Sequence, residues 1–395
     1  MILLDFTGFN WQLAFTAVTV LILIAAEVYA IKIPQGKHFW GLALVSASLI
    51  VSALWVSNSV VRTITLDLAG LSLVALVWSQ DKQAGKLFLA AVLLGSVLVA
   101  SGMALGNLFG ESSEPTGWLL KAVFALIMIG YLIKLAAIPF SFWLVPVAEK
   151  SSIMSAVLVI SLLDMAEFGE LASLRVEAPW LFTNLHLSTQ WVWIGMALLS
   201  MFVGAFLAMA QTNIRKMLAF STIDDIGYLI LGLAAGTAGG VLGVLIAAIS
   251  HSLCKFLLFG SVGVAENGLK HPLTLTDRGM AGKYPTAGAA FILGAIGMIG
   301  VPPFLGFLGR WRLYYSGLEA GGVALAIAMA AATALALLYY VRVIHKVWLG
   351  KADEGIEAKQ FAASPFWINL ILVVFIVLLI VAGLFPWLFT GIFGR

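Results

Sequence analysis

The sequence predicts an all-α polytopic membrane protein of about twelve transmembrane helices. Of its 395 residues, 62% are hydrophobic and 10% are charged, whereas a typical globular domain carries about 25% charged residues. Apolar runs of about 20 residues, the length that crosses a hydrocarbon core of roughly 30 Å, recur along the whole chain. Two of these runs share a proline–aromatic interruption. The sequence offers no soluble domain and no Gly-rich phosphate loop between a strand and a helix.

Twelve apolar runs are predicted to span the bilayer. They lie near residues 11–31, 39–57, 60–80, 86–108, 118–147, 150–174, 189–210, 214–236, 240–264, 285–309, 320–346 and 366–391. The first run is long enough to span and residues 1–10 lack a basic segment, so we expect no cleavable signal peptide. The single Cys254 excludes a disulfide framework and a multi-thiolate metal site. We expect no metal, no cofactor and no nucleic acid among the ligands.

Basic residues are distributed unevenly between the two sets of connections. One set holds most of the lysines, from Lys32 to Lys359. The opposite set holds Arg62, Lys121, Arg175, Arg310, Arg312 and Arg395. The positive-inside rule therefore predicts that both termini lie outside the cytoplasm of a prokaryotic plasma membrane. The even number of predicted helices agrees with this orientation.

The fifth and tenth spans have the same internal pattern. "AAIPFSFWLVP" is interrupted by Pro139 and Pro146, and "IGVPPFLGFLG" by Pro302 and Pro303. The two spans are five helices apart, and an odd offset places them in opposite orientations. Paired, proline-broken helices in corresponding halves are typical of inverted repeats that enclose a transport pathway. The alternative is two ordinary proline kinks, which are common in membrane helices.

The predicted organisation is one transmembrane domain, residues 1–395, containing an inverted five-helix repeat. An extra N-terminal helix lies in 1–38, and a C-terminal helix occupies 366–391. The first repeat covers 39–175 and the second covers 189–346. Each repeat contains one proline-broken helix.

Ionisable residues inside the apolar spans are the main functional signal. Lys134 lies near the middle of the fifth span, where a charge is expensive and usually faces the bundle interior. If the helix ended at Pro139, Lys134 would instead lie just under the headgroups. The other candidates are Asp67, Asp164, Glu167, Glu170, Asp224, Asp225, His251, Lys255 and Arg310.

Spacing and chemistry suggest how these groups are arranged. Asp164, Glu167 and Glu170 share one helix face at i, i+3 and i+6. An unpaired charge would be costly, so we expect Lys134 to face Asp67. A helix-end or interfacial charge is the alternative for Asp164, Glu170 and Arg312, and a hydrogen-bonded core histidine is the alternative for His251.

A series of buried acids, lysines and a histidine is what proton relay requires. A buried lysine loses its proton easily, and a nearby carboxylate restores it. At about 4 Å and an effective dielectric near 20, such a pair is worth roughly 4 kcal/mol. Moving the acid can therefore switch Lys134 between holding and releasing a proton. The proline break beside it admits water and frees backbone carbonyls.

Four segments carry a resemblance to a known family. "IKLAAIPFSFWLVPVAEKSSIMSAVL", "QTNIRKMLAFSTIDDIGYLILGL", "HSLCKFLLFGSVG" and "GMIGVPPFLGFLGRWRLYY" occur in this order between Asp67 and Tyr315. They resemble the antiporter-like membrane subunits of respiratory complex I, which are related to cation/proton antiporters and membrane-bound hydrogenases. The resemblance is greatest to the shorter type next to the quinone module, the subunit N type. Members of the family usually have fourteen helices, and this chain is expected to lack two of them at the N-terminus. It is also expected to lack a long C-terminal lateral helix.

The resemblance implies roles for individual residues. Lys134 matches the central lysine of the first half-channel, and Asp67 falls where the family has its glutamate partner. His251 and Lys255 match the polar axis of the second half. Arg310 falls where the family has a terminal lysine or glutamate.

Four departures from the family pattern bear on function. Glu167 occupies the position of a bridging lysine, and Ser141 and Val147 stand where the family has histidine and aspartate. Arg310 is a poor proton carrier because its guanidinium is hard to deprotonate. We therefore hypothesise that Glu167 carries the proton as a carboxylic acid.

Three functions remain open from the sequence. The first is a proton-translocating, non-redox subunit of a complex I type translocase that depends on other membrane subunits. The second is a subunit of a multi-subunit sodium/proton antiporter or an ion-coupled carbon-uptake complex, which would transport Na⁺ as well as protons. The third is a structural scaffold that has lost pumping, because Glu167 and Arg310 interrupt the lysine series. The sequence does not assign an enzymatic activity to the chain itself.

Overall fold

Apolar helices make up the architecture of the chain. The computed structural model describes residues 9–110, 117–178, 187–351 and 364–387. The helices of the first half are α1 Trp11–Lys32, α2 Phe39–Leu54, α3 Ser59–Gln80, α4 Lys82–Gly110, α5 Gly117–Lys134, α6 Leu144–Lys150, α7 Ile153–Val157 and α8 Asp164–Glu177. Those of the second half are α9 Leu187–Ala210, α10 Ile214–Ala234, α11 Ala238–Leu269, α12 Met280–Lys283, α13 Pro285–Ile299, α14 Leu305–Val343 and α15 Phe366–Leu384.

Helices occur in all twelve predicted spans. Among the described residues, nine helices are long and apolar enough to cross a membrane, and α2 and α13 are shorter apolar helices. The all-α membrane fold is therefore confirmed, whereas the count of twelve, the inverted repeat and the four-part division stay predictions. Residues 388–391 of the last predicted span lie outside the described residues.

Polar side chains at the connections begin several helices. Asn58 accepts a hydrogen bond from the Val61 amide at 3.1 Å, and Asn213 accepts one from Lys216 at 3.2 Å. Thr237 does the same for Gly240 at 3.0 Å. Each side chain satisfies an amide that has no partner within its helix, so these residues determine where α3, α10 and α11 begin.

Both predicted helix breaks occur. α5 ends at Lys134, and regular helix resumes only with the short 3₁₀ turn Ser141–Trp143 and α6. α13 ends at Ile299, where Gly300 adopts φ +83°, and α14 begins at Leu305. Pro139 lies in the first break, and Pro302 and Pro303 lie in the second.

The structure refines two predicted boundaries. Helix continues past residue 309 after the second break and is interrupted at Gly322, whose φ of 65° and ψ of −164° suit glycine alone; a further helix then runs to Val343, as the separate span 320–346 predicted. The predicted sixth span, 150–174, begins at Ile153 and contains a π-helical stretch, Leu158–Leu163, before α8. Such wide turns occur mostly within α-helices near functional sites.

The second-half helices α10 and α11 are the most enclosed. Their apolar stretches are buried almost all round, as expected for helices that are hydrophobic on every side. α11 packs against α8, the π-helical stretch, α13 and α14. This position brings its polar side chains next to those of α8 and α10.

Candidate functional site

Lys134 is the centre of a buried ion-pair cluster. Its Nζ lies 2.9 Å from Asp67 Oδ1 and 2.7 Å from Glu167 Oε1. The side chains of Lys134 and Glu167 are 5% and 2% exposed, and that of Asp67 is 17% exposed. The expected pairing of Lys134 with Asp67 is confirmed, and Glu167 is a second partner. One ammonium is therefore shared by two carboxylates, which we name the Lys134 triad.

The helix break places Lys134 at the end of α5 and leaves backbone groups to be satisfied. The Trp143 indole donates a hydrogen bond to the Ile133 carbonyl at 2.8 Å, and the Ile138 amide donates to Ser200 Oγ at 3.1 Å. These contacts replace lost helical bonds, which is the condition for irregular backbone inside a membrane protein.

A small cavity adjoins the Lys134 triad. It has about 10 Å³ of space for the centre of a water molecule, enough for one water. Phe88 and Trp143, stacked with their centroids 4.7 Å apart, form one wall, and Leu66 and Leu163 lie on others. The triad thus has polar groups, an apolar wall and room for a bridging water.

Gly95 on α4 makes room for the lysine side chain. A Cβ added at Gly95 would collide with Lys134 Cγ and lie 3.0 Å from the Gly130 carbonyl oxygen. Its absence lets α4 and α5 approach closely, as small residues do in membrane helices.

The three acids of α8 are all buried, yet they have different partners. Glu167 binds Lys134, whereas Glu170 binds the Arg62 guanidinium and accepts a 2.8 Å hydrogen bond from Thr63. Asp164 Oδ2 has no hydrogen-bond partner among the described residues. Glu167 and Lys255 are the charged groups that act on Asp164 electrostatically. Asp164 thus lies between the first and second halves of the molecule.

Asp225 is the centre of a second cluster. Arg310 Nη2 donates to Asp225 Oδ1 at 2.6 Å, and His251 Nδ1 lies 2.7 Å from Asp225 Oδ2. The other ring nitrogen of His251 lies 3.2 Å from the carbonyl oxygen of Ile160, in the π-helical stretch. A carbonyl can only accept, so Nε2 carries a proton here. The Nδ1–Asp225 contact then needs one further proton, held by either group.

Three contacts hold the Arg310 guanidinium in place. It binds Asp225, donates to the Met298 carbonyl at 2.9 Å and lies over the Tyr228 ring at 3.7 Å. The Met298 contact satisfies a carbonyl beside the second helix break. A cavity with about 10 Å³ of space for the centre of a water molecule adjoins Arg310, Asp225 and His251.

Lys255 and Asp224 lie close to this cluster, but each forms its hydrogen bonds with uncharged groups. Lys255 Nζ donates to Ser221 Oγ at 2.7 Å and to the Leu218 carbonyl at 3.1 Å. In the described part of the chain, Lys255 forms no ion pair, although it is completely buried. Asp224 accepts a 2.9 Å hydrogen bond from Tyr339. An ammonium at Lys255 therefore lacks the carboxylate contacts that stabilise Lys134.

Two arginines placed in surface connections by the charge pattern are buried instead. Arg62 lies in the first turn of α3 and is 5% exposed, and Arg310 lies within α14 and is 8% exposed. Their partners on α8 and α10 are distant in sequence. Arg62 lies in the same apolar run as Asp67, and this pattern could have identified Arg62 as a buried charge.

Sequence reasoning also missed neutral contributors. Tyr131, Tyr228 and Tyr339 contact or adjoin the charged groups, and Gly95 shapes the lysine site. Nothing in a single sequence distinguishes these tyrosines from other core aromatics. In the described residues, no three His, Cys, Asp or Glu side chains are grouped as metal ligands.

Fold and site define the class of protein: a polytopic membrane protein with charged groups buried along its interior at two broken helices. Residues 107–336 match the family described as NADH:quinone oxidoreductase/Mrp antiporter, transmembrane. The NADH-quinone oxidoreductase subunit N of Jannaschia sp. (strain CCS1) is 30% identical over 356 residues, which is 88% of this chain and 70% of that protein. The chain therefore belongs to the NADH:quinone oxidoreductase/Mrp antiporter membrane family, as its motifs indicated.

Solved structures share the fold. A chain of the Mrp complex from Dietzia sp. DQ12-45-1b has a TM-score of 0.84 at 19% identity, covering 98% of this chain and 82% of that one. A chain of respiratory complex I from Thermus thermophilus with bound aureothin has a TM-score of 0.78 at 22% identity, covering 97% and 86%. Both neighbours are subunits of multi-subunit membrane complexes, and this chain is an integral, multi-pass membrane protein of the same fold.

Proposed function

We propose that the chain is a proton-translocating antiporter-like subunit of a complex I type membrane assembly, driven by redox chemistry in other subunits. The observation that supports this most directly is the Lys134 triad. A buried ammonium shared by two carboxylates can exchange a proton with either of them at small electrostatic cost. The triad lies beside a helix break and a cavity large enough for one water, and a water in this cavity can accept or deliver the proton.

The remaining site residues extend the proposed path into the second half. Asp164 lies between Glu167 and Lys255, and the proposed path continues from Lys255 to Asp224, Asp225 and His251. Charged groups in membrane interiors are expensive and usually functional, which favours relay over a purely structural role. Arg310 does not carry a proton in this scheme, because a guanidinium stays charged. It provides a fixed positive charge beside Asp225.

The orientation follows the charge distribution. We propose that both termini lie on the non-cytoplasmic side, because most lysines lie in the opposite set of connections. On this orientation Ile153, where α7 begins, lies towards the cytoplasmic side, and Glu177 at the end of α8 lies towards the other side.

Purification of the native assembly by an affinity tag on this chain tests the proposal. Companions that form a quinone or hydrogenase module are expected. Proton translocation by the assembly in liposomes should be lost in Lys134→Met and retained in Lys216→Met, which removes a lysine of a partly exposed pair with Glu149. Full translocation by an intact Lys134→Met assembly would leave the scaffold function as the explanation.

A sodium/proton antiporter subunit is the second candidate, favoured by the fold shared with the Mrp complex chain. Companions that are themselves antiporter subunits, together with proton flux that requires Na⁺ on the opposite side, would select this function over the first.

A further inference from the structure

A second cluster with two carboxylates and one cation lies next to the Lys134 triad. The Arg62 guanidinium binds Glu170 on one side, and on the other it binds Glu177 through two hydrogen bonds of 2.9 and 2.8 Å. Thr63 supplies a further hydrogen bond to Glu170 at 2.8 Å. We name Arg62, Glu170 and Glu177 the Arg62 triad.

Charge balance allows each of the two triads to take up one proton. With every group ionised, each triad has one more negative than positive charge, and an uncompensated charge in a membrane interior is costly. A single proton on one carboxylate of each triad restores neutrality. Because Arg62 keeps its two hydrogen bonds to Glu177, Glu170 can take up a proton while the guanidinium stays paired.

Tyr131 lies beside the Lys134 triad on α5, which packs against α8, the helix that carries Glu167 and Glu170. It is completely buried on α5, one turn before Lys134, whose Nζ lies 5.7 Å from the centre of its ring. Its hydroxyl has no hydrogen-bond partner among the described residues. The acids Glu170, Glu167 and Asp67 and the cation Arg62 all act on this hydroxyl electrostatically. A buried hydroxyl normally has a partner, so a free one among carboxylates indicates a group that donates and accepts in turn.

The Arg62 triad also reaches the end of α8. Glu177 follows Glu167 by ten residues, about 15 Å along an α-helix, or half of a hydrocarbon core of roughly 30 Å. The Glu167 and Glu170 side chains are 2% and 1% exposed, whereas that of Glu177, in the last turn of α8, is 39% exposed. The buried part of the route is therefore sealed until Glu177.

We propose that the Tyr131 hydroxyl and the Glu170 carboxylate conduct protons between Glu167 and the end of α8. In each step the Glu167 carboxylic acid gives its proton to the Tyr131 oxygen while the Tyr131 hydroxyl proton passes, directly or through water, to the Glu170 carboxylate. Tyr131 is neutral before and after the step. Glu170 then releases the proton to water beside Glu177. This outlet rests on the proposed function and gives it a specific route through the first half of the molecule.

The test uses the native assembly in liposomes, with proton translocation followed by a pH-sensitive dye. Tyr131→Phe keeps the ring but removes the hydroxyl, and Glu170→Gln keeps the shape but removes titration. Both should lower translocation by about an order of magnitude, the scale of losing a positioned proton donor or acceptor. Tyr29→Phe is the matched control, because Tyr29 is also completely buried but donates to the Gly260 carbonyl and has no contact with either triad among those found in the described residues. Its translocation should stay at the wild-type level.

Rescue separates conduction from structure. Glu170→Asp keeps a titratable group and should recover part of the rate lost in Glu170→Gln at the same melting temperature. Wild-type rates in both Tyr131→Phe and Glu170→Gln, with Lys134→Met inactive, would refute the outlet and leave the proposed function standing. Full activity of Lys134→Met would refute the proposed function itself.

Discussion

The Lys134 ammonium lies 2.7 Å from the Glu167 carboxylate, and both side chains are buried. The resemblance of the sequence to its family implies a lysine at the position of Glu167, and the acid that stands there is in direct contact with Lys134. It also gives the lysine a second carboxylate besides Asp67, 2.9 Å away.

Removing titration at Glu167 tests the hypothesis that this acid carries the proton. Glu167→Gln retains the shape and hydrogen bonding of the side chain, and assembly should be unchanged. Proton translocation in reconstituted vesicles should fall by about tenfold or more, the scale of losing a positioned acid or base. Glu149→Gln is the control, because Glu149 is in a partly exposed pair with Lys216. Full pumping by a normally assembled Glu167→Gln variant would place this carboxylate off the path.

Lys134→Met should stop translocation more severely and also destabilise the protein. It leaves Asp67 and Glu167 without their shared cation, and breaking a buried pair by removing one partner costs roughly 3–5 kcal/mol. Adding Glu167→Gln removes one of the two orphaned carboxyl groups and should recover much of the stability but none of the activity. Melting temperatures of the purified assembly measure the first effect. Equal stability of the single and double variants would show that the triad is not energetically coupled.

Gly95→Val should disturb the Lys134 site without changing any charge. The added side chain overlaps the lysine stem, so the ammonium must move away from its carboxylates. We expect translocation to fall by about tenfold, because a misplaced group loses orientation as well as contact. Gly41→Val is the matched control, since a Cβ at Gly41 meets nothing within 4 Å. Similar activity of the two variants would contradict the proposed role of Gly95.

Arg310→Lys and Arg310→Met distinguish a fixed charge from a carrier. Lysine keeps a positive charge beside Asp225 but loses the planar geometry that reaches the Met298 carbonyl and the Tyr228 ring. We expect Arg310→Lys to retain a large part of the translocation rate and Arg310→Met to lose most of it. Wild-type activity in Arg310→Met would show that Asp225 needs no cation from α14.

Cysteine labelling tests the proposed orientation. Cys254 is buried and is the only cysteine in the sequence, so an introduced cysteine at an exposed position is the reactive one. A membrane-impermeant maleimide should label Lys37→Cys from the cytoplasmic side and Ser57→Cys from the opposite side. The reverse pattern would invert the orientation inferred from the lysines.

The sequence alone determined the class, the helical spans and most of the charged groups of the site. Charges are so rare in apolar spans that each one is conspicuous, and proline removes a helical hydrogen bond wherever it occurs. Lys134 facing Asp67 could be predicted because a buried cation needs a counter-charge. The breaks at Pro139 and at Pro302–Pro303 were predicted for the same kind of local reason.

Only the tertiary structure decided which buried charge meets which. Glu167 and Glu170 are one turn apart and look equivalent in sequence, but α8 directs one towards Lys134 on α5 and the other towards Arg62 on α3. Arg62 looked like a surface charge because its partners, Glu170 and Glu177, come from a helix that is distant in the chain. The free Tyr131 hydroxyl and the space left by Gly95 likewise depend on how α4, α5 and α8 pack, since a helix's own sequence specifies its faces but not the neighbours that cover them.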